Sequence, residues 1–170
     1  PLVSIIVPTR DRADLLARCA DGILTRTDYE PLELIVVDND SQEPETLALL
    51  ERLASEPRVR VVRHEGAFNF AALNNHAVRE ARGEIVVLLN NDTVVSPDWL
   101  RPLVASLEAD PDIGAANSKV LFDGRFLEVS LNTPSAPRSR ADPRPVGVQV
   151  SGIRVDGRDE WRRAQFVRGW

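Results

Sequence analysis

Short apolar runs alternate with segments of helical apolar spacing as far as about residue 121. Val3 to Val7 is a β-branched run stopped by Pro8 and predicts a buried strand. Leu15, Leu16, Cys19, Ile23 and Leu24 then form a helical stripe, opened by a cap at Thr9 or Asp11. Leu32 to Val37 predicts a second strand, and Glu45 to Ala54 a helix with Leu47, Leu50 and Leu53 inward. Val59 to Val62 predicts a short third strand. A helix follows from Phe70 or Ala71 to Ala81, closed by Gly83. Ile85 to Leu89 is wholly apolar and fits a strand covered on both faces. Ser96-Pro97-Asp98 reads as an N-cap with Pro at the first helical position, opening a helix to about Glu108, with Pro111 as its stop.

Strands alternating with helices predict an α/β domain: a mostly parallel, Rossmann-like sheet with helices on both faces. The dinucleotide fingerprint GxGxxG does not follow the first strand, and no GxxxxGK[ST] phosphate loop is present. A nucleotide bound by this fold must therefore be held by side chains and a cation. Residues 122–170 break the pattern and form a separate, irregular or β-rich segment. Its 132–147 stretch is rich in proline and arginine, and short strands are expected at Val146 to Val150 and Ile153 to Val155. Arg138, Arg140 and Arg144 there read as a solvated loop, and the tail carries Trp161 and Trp170.

Composition narrows the function classes. A net charge of −5 argues against nucleic acid as a partner, which calls for a basic face. Cys19, the single cysteine, has no internal disulfide partner and reads as a small core residue. No apolar stretch approaches the roughly 18 residues of a membrane span. The chain opens at Pro1, without Met, directly before a strand, as a processed or excised piece would. A cytoplasmic setting is expected, with peripheral association at the inner face of the membrane left open. The oligomeric state is not legible. His64 and His76 stand far apart and poorly accompanied in sequence, so no zinc site is expected of them.

Three polar clusters fall at predicted strand ends: Pro8-Thr9-Arg10-Asp11, Asp38-Asn39-Asp40-Ser41 and Asn90-Asn91-Asp92. In a parallel sheet those ends share one edge, the edge at which open α/β sheets bind ligands. Oxygen donors of the Asp and Asn type suit a hard divalent cation. Any one cluster alone is more simply a turn or a helix cap.

The ordered set VSIIVPTRDR, LIVVDNDS and NFAALNNHAVREARGEIVVLLNNDTVVSPDWL resembles the nucleotide-sugar half of inverting family 2 glycosyltransferases of the GT-A fold. It is similar above all to bacterial enzymes that build surface polysaccharides, over residues 2 to about 121. The resemblance implies that Pro8, Thr9 and Asp38 contact the base and ribose, with Arg10 and Asp11 at the same mouth. It places Asn69, Asn74 and Asn75 beside the nucleotide; exposed helical polarity is an equal reading of Asn74 and Asn75. Asn90-Asn91-Asp92 stands where the family has its DxD-type motif, with Asn90 in place of the first Asp. Asp92 is then the ligand for Mg2+ or Mn2+, and Asn90, with Asn91, the neighbour of ribose or a metal-bound water.

The implied reaction moves a sugar from a nucleoside diphosphate, of UDP or dTDP type, to a glycan or lipid-linked acceptor. The family's catalytic base is an Asp in a downstream acidic motif. Residues 122–170 do not supply that motif and read as an incomplete acceptor half or an appended β-rich piece, with Asp159-Glu160 as surface charge. Two other readings stay open. One is a nucleotide-sugar-binding module or truncated domain that lacks the base; the other is a nucleotidylyltransferase, whose Gly-rich basic signature PTRDRADLL does not carry.

Overall fold

The computed structural model describes residues 1–117, 121–122, 125–131 and 150–155. The chain divides into two compact units, Pro1–Val104 and Ala105–Trp170. The first holds strands β1 (Val3–Thr9), β2 (Leu32–Asp38), β3 (Val59–Arg63) and β4 (Ile85–Leu88), with helices α1 (Ala13–Asp21), α2 (Pro44–Ala54) and α3 (Phe70–Glu80) between them. A π-helical turn, Gly22–Arg26, extends α1, and α4 (Leu100–Ala109) follows β4. The four strands pair in parallel in the order β3-β2-β1-β4.

Both central strands are buried at every position, as their unbroken apolar runs require. Alternation along them sends side chains to two cores. Val3, Ile5 and Val7 of β1 and Leu32, Leu34 and Val36 of β2 pack with Leu16, Cys19 and Ile23 after β1, with Leu49, Leu50 and Leu53 of α2, and with Leu100 and Val104 of α4. On the other face Ile6, Ile35 and Val37 meet Leu73 and Ala77 of α3. Each such Ile, Leu or Val, fully removed from water, contributes roughly 1.5–3 kcal/mol before entropy is counted.

Several local expectations need correction. The α2 stripe runs through Thr46, Leu49, Leu50 and Leu53, while Leu47 is only partly buried. Gly83 does not end α3, whose C-cap is Ala81. It is needed instead for close packing, because a Cβ there would stand 2.6 Å from the Ser4 nitrogen and 2.7 Å from the Leu2 oxygen. Strand β4 is covered on one face only; Val86 and Leu88 stay exposed because α3, the helix on their face, packs over β1 and β2 among the described residues. Ser96 does not cap α4: residues 97–99 form a turn, Trp99 N–H bonds to the Ser96 carbonyl, and the helix starts at Leu100.

The second unit contains a three-stranded antiparallel sheet, β5 (Leu121–Phe122), β6 (Arg125–Leu131) and β7 (Val150–Val155). The expected strands at Val146 to Val150 and Ile153 to Val155 appear as the one strand β7; residues 146–149 lie outside the described residues, as do the Arg138, Arg140 and Arg144 cluster and the Trp tail. The sequence pattern gave no sign of β6.

Candidate functional site

The chain order β1, β2, β3 moves outward across the sheet and then returns to the far side of β1 for β4. The sheet's switch point therefore lies between the carboxyl ends of β1 and β4, the position at which such sheets open a crevice. Thr9 and Asp38 end their strands as register partners, and Asn39 N–H donates to the Thr9 carbonyl at 2.8 Å. Across the switch point the Asn91 side-chain amide donates to Thr9 Oγ1 at 3.0 Å. That bond spans 82 residues and brings the Asn90-Asn91-Asp92 turn against the end of β1.

The turn is held from beneath as well. Leu89 N–H donates to the Ile6 carbonyl, and Thr93 N–H to that of Asn90. The Cys19 thiol of α1 approaches the same Asn90 carbonyl at 3.6 Å. Burial, and then the nearby Asp92 charge, push this thiol up to about 12. Asn90 and Asp92 themselves are exposed, so the turn presents a carboxylate and an amide outward from a fixed base.

Asp38 ends β2 beside Thr9 on the same carboxyl edge. It is fully buried; Oδ1 accepts the Ser41 N–H at 3.1 Å, while Oδ2 has no hydrogen-bond partner and lies 3.6 Å from Arg63 Nε. A buried carboxylate oxygen in that condition is costly unless something else satisfies it. Asn39 Oδ1 and Asn74 Oδ1 are likewise buried without a partner. Asn39 Nδ2 donates to the carbonyls of His64 and Gly66, pinning the loop after β3, and Asn74 Nδ2 donates to Phe70.

The remaining predicted residues take varied places. Pro8 is buried within β1, and Arg10 is exposed beyond its end. Asp11 does not cap α1; Arg12 occupies that N-cap position. Asp11 Oδ1 accepts the N–H groups of Gln42 and Glu43 at 2.8 and 2.9 Å, and the Glu43 and then Gln42 amides hold its carboxyl below the usual range. Asn69 caps α3, its Oδ1 accepting Ala72 N–H at 3.1 Å. Asn75 faces a cleft shared with His64 and His76. Those two rings, distant in sequence, meet with their Nδ1 atoms 3.1 Å apart.

Asp11, Arg12 and Asp40 all have left-handed backbones, with φ of 54°, 58° and 59°. Such residues are strained and gather at functional sites. Here all three border the carboxyl edge. Asn39, Ser41 and Arg63 were missed as individual site residues. The signal for Asn39 and Ser41 was their place in the Asp38 cluster; Arg63 becomes visible only once β3 is set beside β2.

The parallel sheet brings together a polar switch point, a buried carboxylate with one oxygen lacking a hydrogen bond, and an outward acidic turn. Over residues 4–155 the chain matches the family described as glycosyl transferase family 2, and it belongs to that family. It is 49% identical over 134 residues to protein y4gI of Sinorhizobium fredii, covering 77% of this chain and 15% of that protein. It is 45% identical over 123 residues to the O-antigen biosynthesis protein RfbC of Myxococcus xanthus, covering 72% of this chain and 10% of that protein. Among solved structures it is similar to the mannosyltransferase PcManGT of Pyrobaculum calidifontis in complex with GDP-Man and Mn2+. That likeness has a TM-score of 0.57 and 36% identity, and covers 66% of this chain and 33% of the other. The chain thus spans only a small part of each relative's length.

Proposed function

We propose that this chain is the donor-binding part of an inverting glycosyltransferase that takes a sugar from a nucleoside diphosphate to a glycan or lipid-linked acceptor. The Asn91–Thr9 bond across the switch point carries the reading, because it sets the Asp92 turn beside the paired strand ends at Thr9 and Asp38. Residues 1–121 form the nucleotide-sugar half. Thr9, Pro8 and Asp38 receive the nucleoside, and the buried Asp38 Oδ2 supplies an acceptor for a base N–H. A pyrimidine, in UDP or dTDP, presents such a donor. Arg10, Asp11, Asn69 and Asn74 border the donor, and Asn90 and Asn91 adjoin its ribose.

The donor set at the mouth, a carboxylate beside an amide oxygen, fits Mg2+ or Mn2+. Asp92 is the residue that would hold the ion, and Mn2+ accompanies the donor in the related PcManGT structure. With one anionic ligand fewer than a DxD motif, affinity for the ion is low until the donor's phosphates join it. When bound, the ion neutralises charge on the departing diphosphate. The acceptor hydroxyl bonds to the anomeric carbon as the diphosphate leaves with the electron pair of the broken C–O bond, and a carboxylate base takes the hydroxyl proton. The chain's own part in this is to bind and orient the donor. The reading places the protein in the cytoplasm, peripheral at most to the inner face of the membrane.

Calorimetry with UDP, dTDP and GDP, with and without Mn2+, on the native chain and Asp92→Ala tests the reading. Metal-dependent nucleotide binding that Asp92→Ala removes is expected. Binding indifferent to both metal and substitution overturns it.

A further inference from the structure

We propose a second, separate metal site at His64 and His76, one that takes a borderline first-row transition ion such as Zn2+ or Co2+. His64 directly follows β3, and its N–H donates to the Asp38 carbonyl at 2.9 Å. His76 lies in α3. Their Nδ1 atoms are 3.1 Å apart, with ring centroids at 5.3 Å and planes at 69°, so the nitrogens face each other between the rings. The two nitrogens sit at hydrogen-bonding distance, one ring donating and the other accepting according to the tautomer. A metal ion bound by both lone pairs would take the place of that hydrogen bond.

The spacing suits metal chelation. At the usual Zn–N distance of about 2.0–2.1 Å, nitrogens this far apart subtend roughly 100° at the ion, close to both tetrahedral and octahedral angles. Because the nitrogens face each other, both rings must turn, by roughly 40° each, for their lone pairs to meet at such an ion. The pair opens onto a cleft of about 510 Å³ lined also by Asn75, Arg79 and Glu80. Among the described residues no group of three or more His, Cys, Asp or Glu is already assembled for a metal. Glu80 stands one helical turn beyond His76 on the same cleft, and its present partner is Arg60, at 3.7 Å. The imidazoles are thus the fixed ligands and Glu80 the movable third, with other positions open to water.

This site differs in place and chemistry from the Asp92 turn. Three strand spacings, about 14 Å, separate β3 from β4 across the sheet. Imidazole nitrogen selects Zn2+, Co2+ or Ni2+, whereas Mg2+ and Mn2+ favour oxygen. An ion here would clamp α3 to the end of β3, fixing the helix that carries Asn69 and Asn74.

The test uses the tag-free chain without nucleotide. Calorimetry and visible absorption should show one Co2+ bound with bands of nitrogen ligation, displaced by Zn2+ and not by Mg2+. His64→Gln and His76→Gln, each checked for folding by circular dichroism, should weaken that binding at least tenfold, and Asp92→Ala should leave it unchanged. On the native chain Zn2+ should also raise Tm. Failure of the native chain to bind Co2+ or Zn2+, binding that survives both His variants, or binding lost with Asp92→Ala would each overturn the site.

Discussion

Asn91 is the residue on which the candidate site turns, because its amide is spent on Thr9 Oγ1 and so fixes where its neighbour Asp92 stands. Asn91→Ala removes one hydrogen bond of about 0.5–1.5 kcal/mol and should weaken Mn2+-dependent nucleotide binding about two- to tenfold. Calorimetry with and without the ion checks this; an unchanged Kd would mean that the turn holds itself. Beneath it, Cys19 links pH to stability. Its thiol is raised from 9.0 to about 12, so between those values the unfolded chain releases a proton that the folded chain keeps. Stability should therefore fall as pH rises above 9, and the fall should be absent from Cys19→Ala. Urea unfolding of both proteins from pH 7 to 10.5 reads the difference, and parallel curves would remove Cys19 from the account. Thr9 and Asp38 were legible in the sequence because an apolar run that stops at a polar residue marks a strand end. The task of Asp11 was not, since its partners Gln42 and Glu43 lie in another loop. The His64–His76 contact was hidden for the same reason: only the packing of α3 brings it about.

Elements were easier to see than their surroundings. The runs VSIIV and LELIVV predicted strands that are indeed buried throughout, and Leu16, Cys19 and Ile23 of the stripe expected after β1 reach the core. The β4 run was just as apolar, yet one of its faces is open. Hydrophobic pattern records what a strand tolerates and does not say which neighbours it has. Strand β6, with Arg125, Glu128 and Ser130 among its residues, lacked an apolar run to announce it. Gly83 shows the opposite case, a residue type correctly singled out for the wrong reason. It sits where the connection to β4 passes β1, and its N–H donates to Ser4 Oγ at 2.8 Å. Gly83→Ala would force a methyl group against β1 backbone, a form of overpacking that typically costs about 1–3 kcal/mol. A clear drop in Tm is expected by calorimetric or circular dichroism melting, and an unchanged Tm would show that this connection can shift freely.

At the scale of the whole molecule, alternation of strands and helices gave the class of fold, while strand order had to come from the structure. That order decides the site: had β4 joined outside β3, Asn91 could not reach Thr9. The same order has a consequence for how the protein is made. Strand β1 is translated first among the four, yet it needs partners on both sides, and Val3 finds its partner Ile85 only 82 residues later. At translation rates of about 5–20 residues per second, that is a wait of roughly 4–16 s. Throughout it a strand of Val and Ile leaves the ribosome with one flank unpaired, which makes β1 the segment most in need of a chaperone's attention.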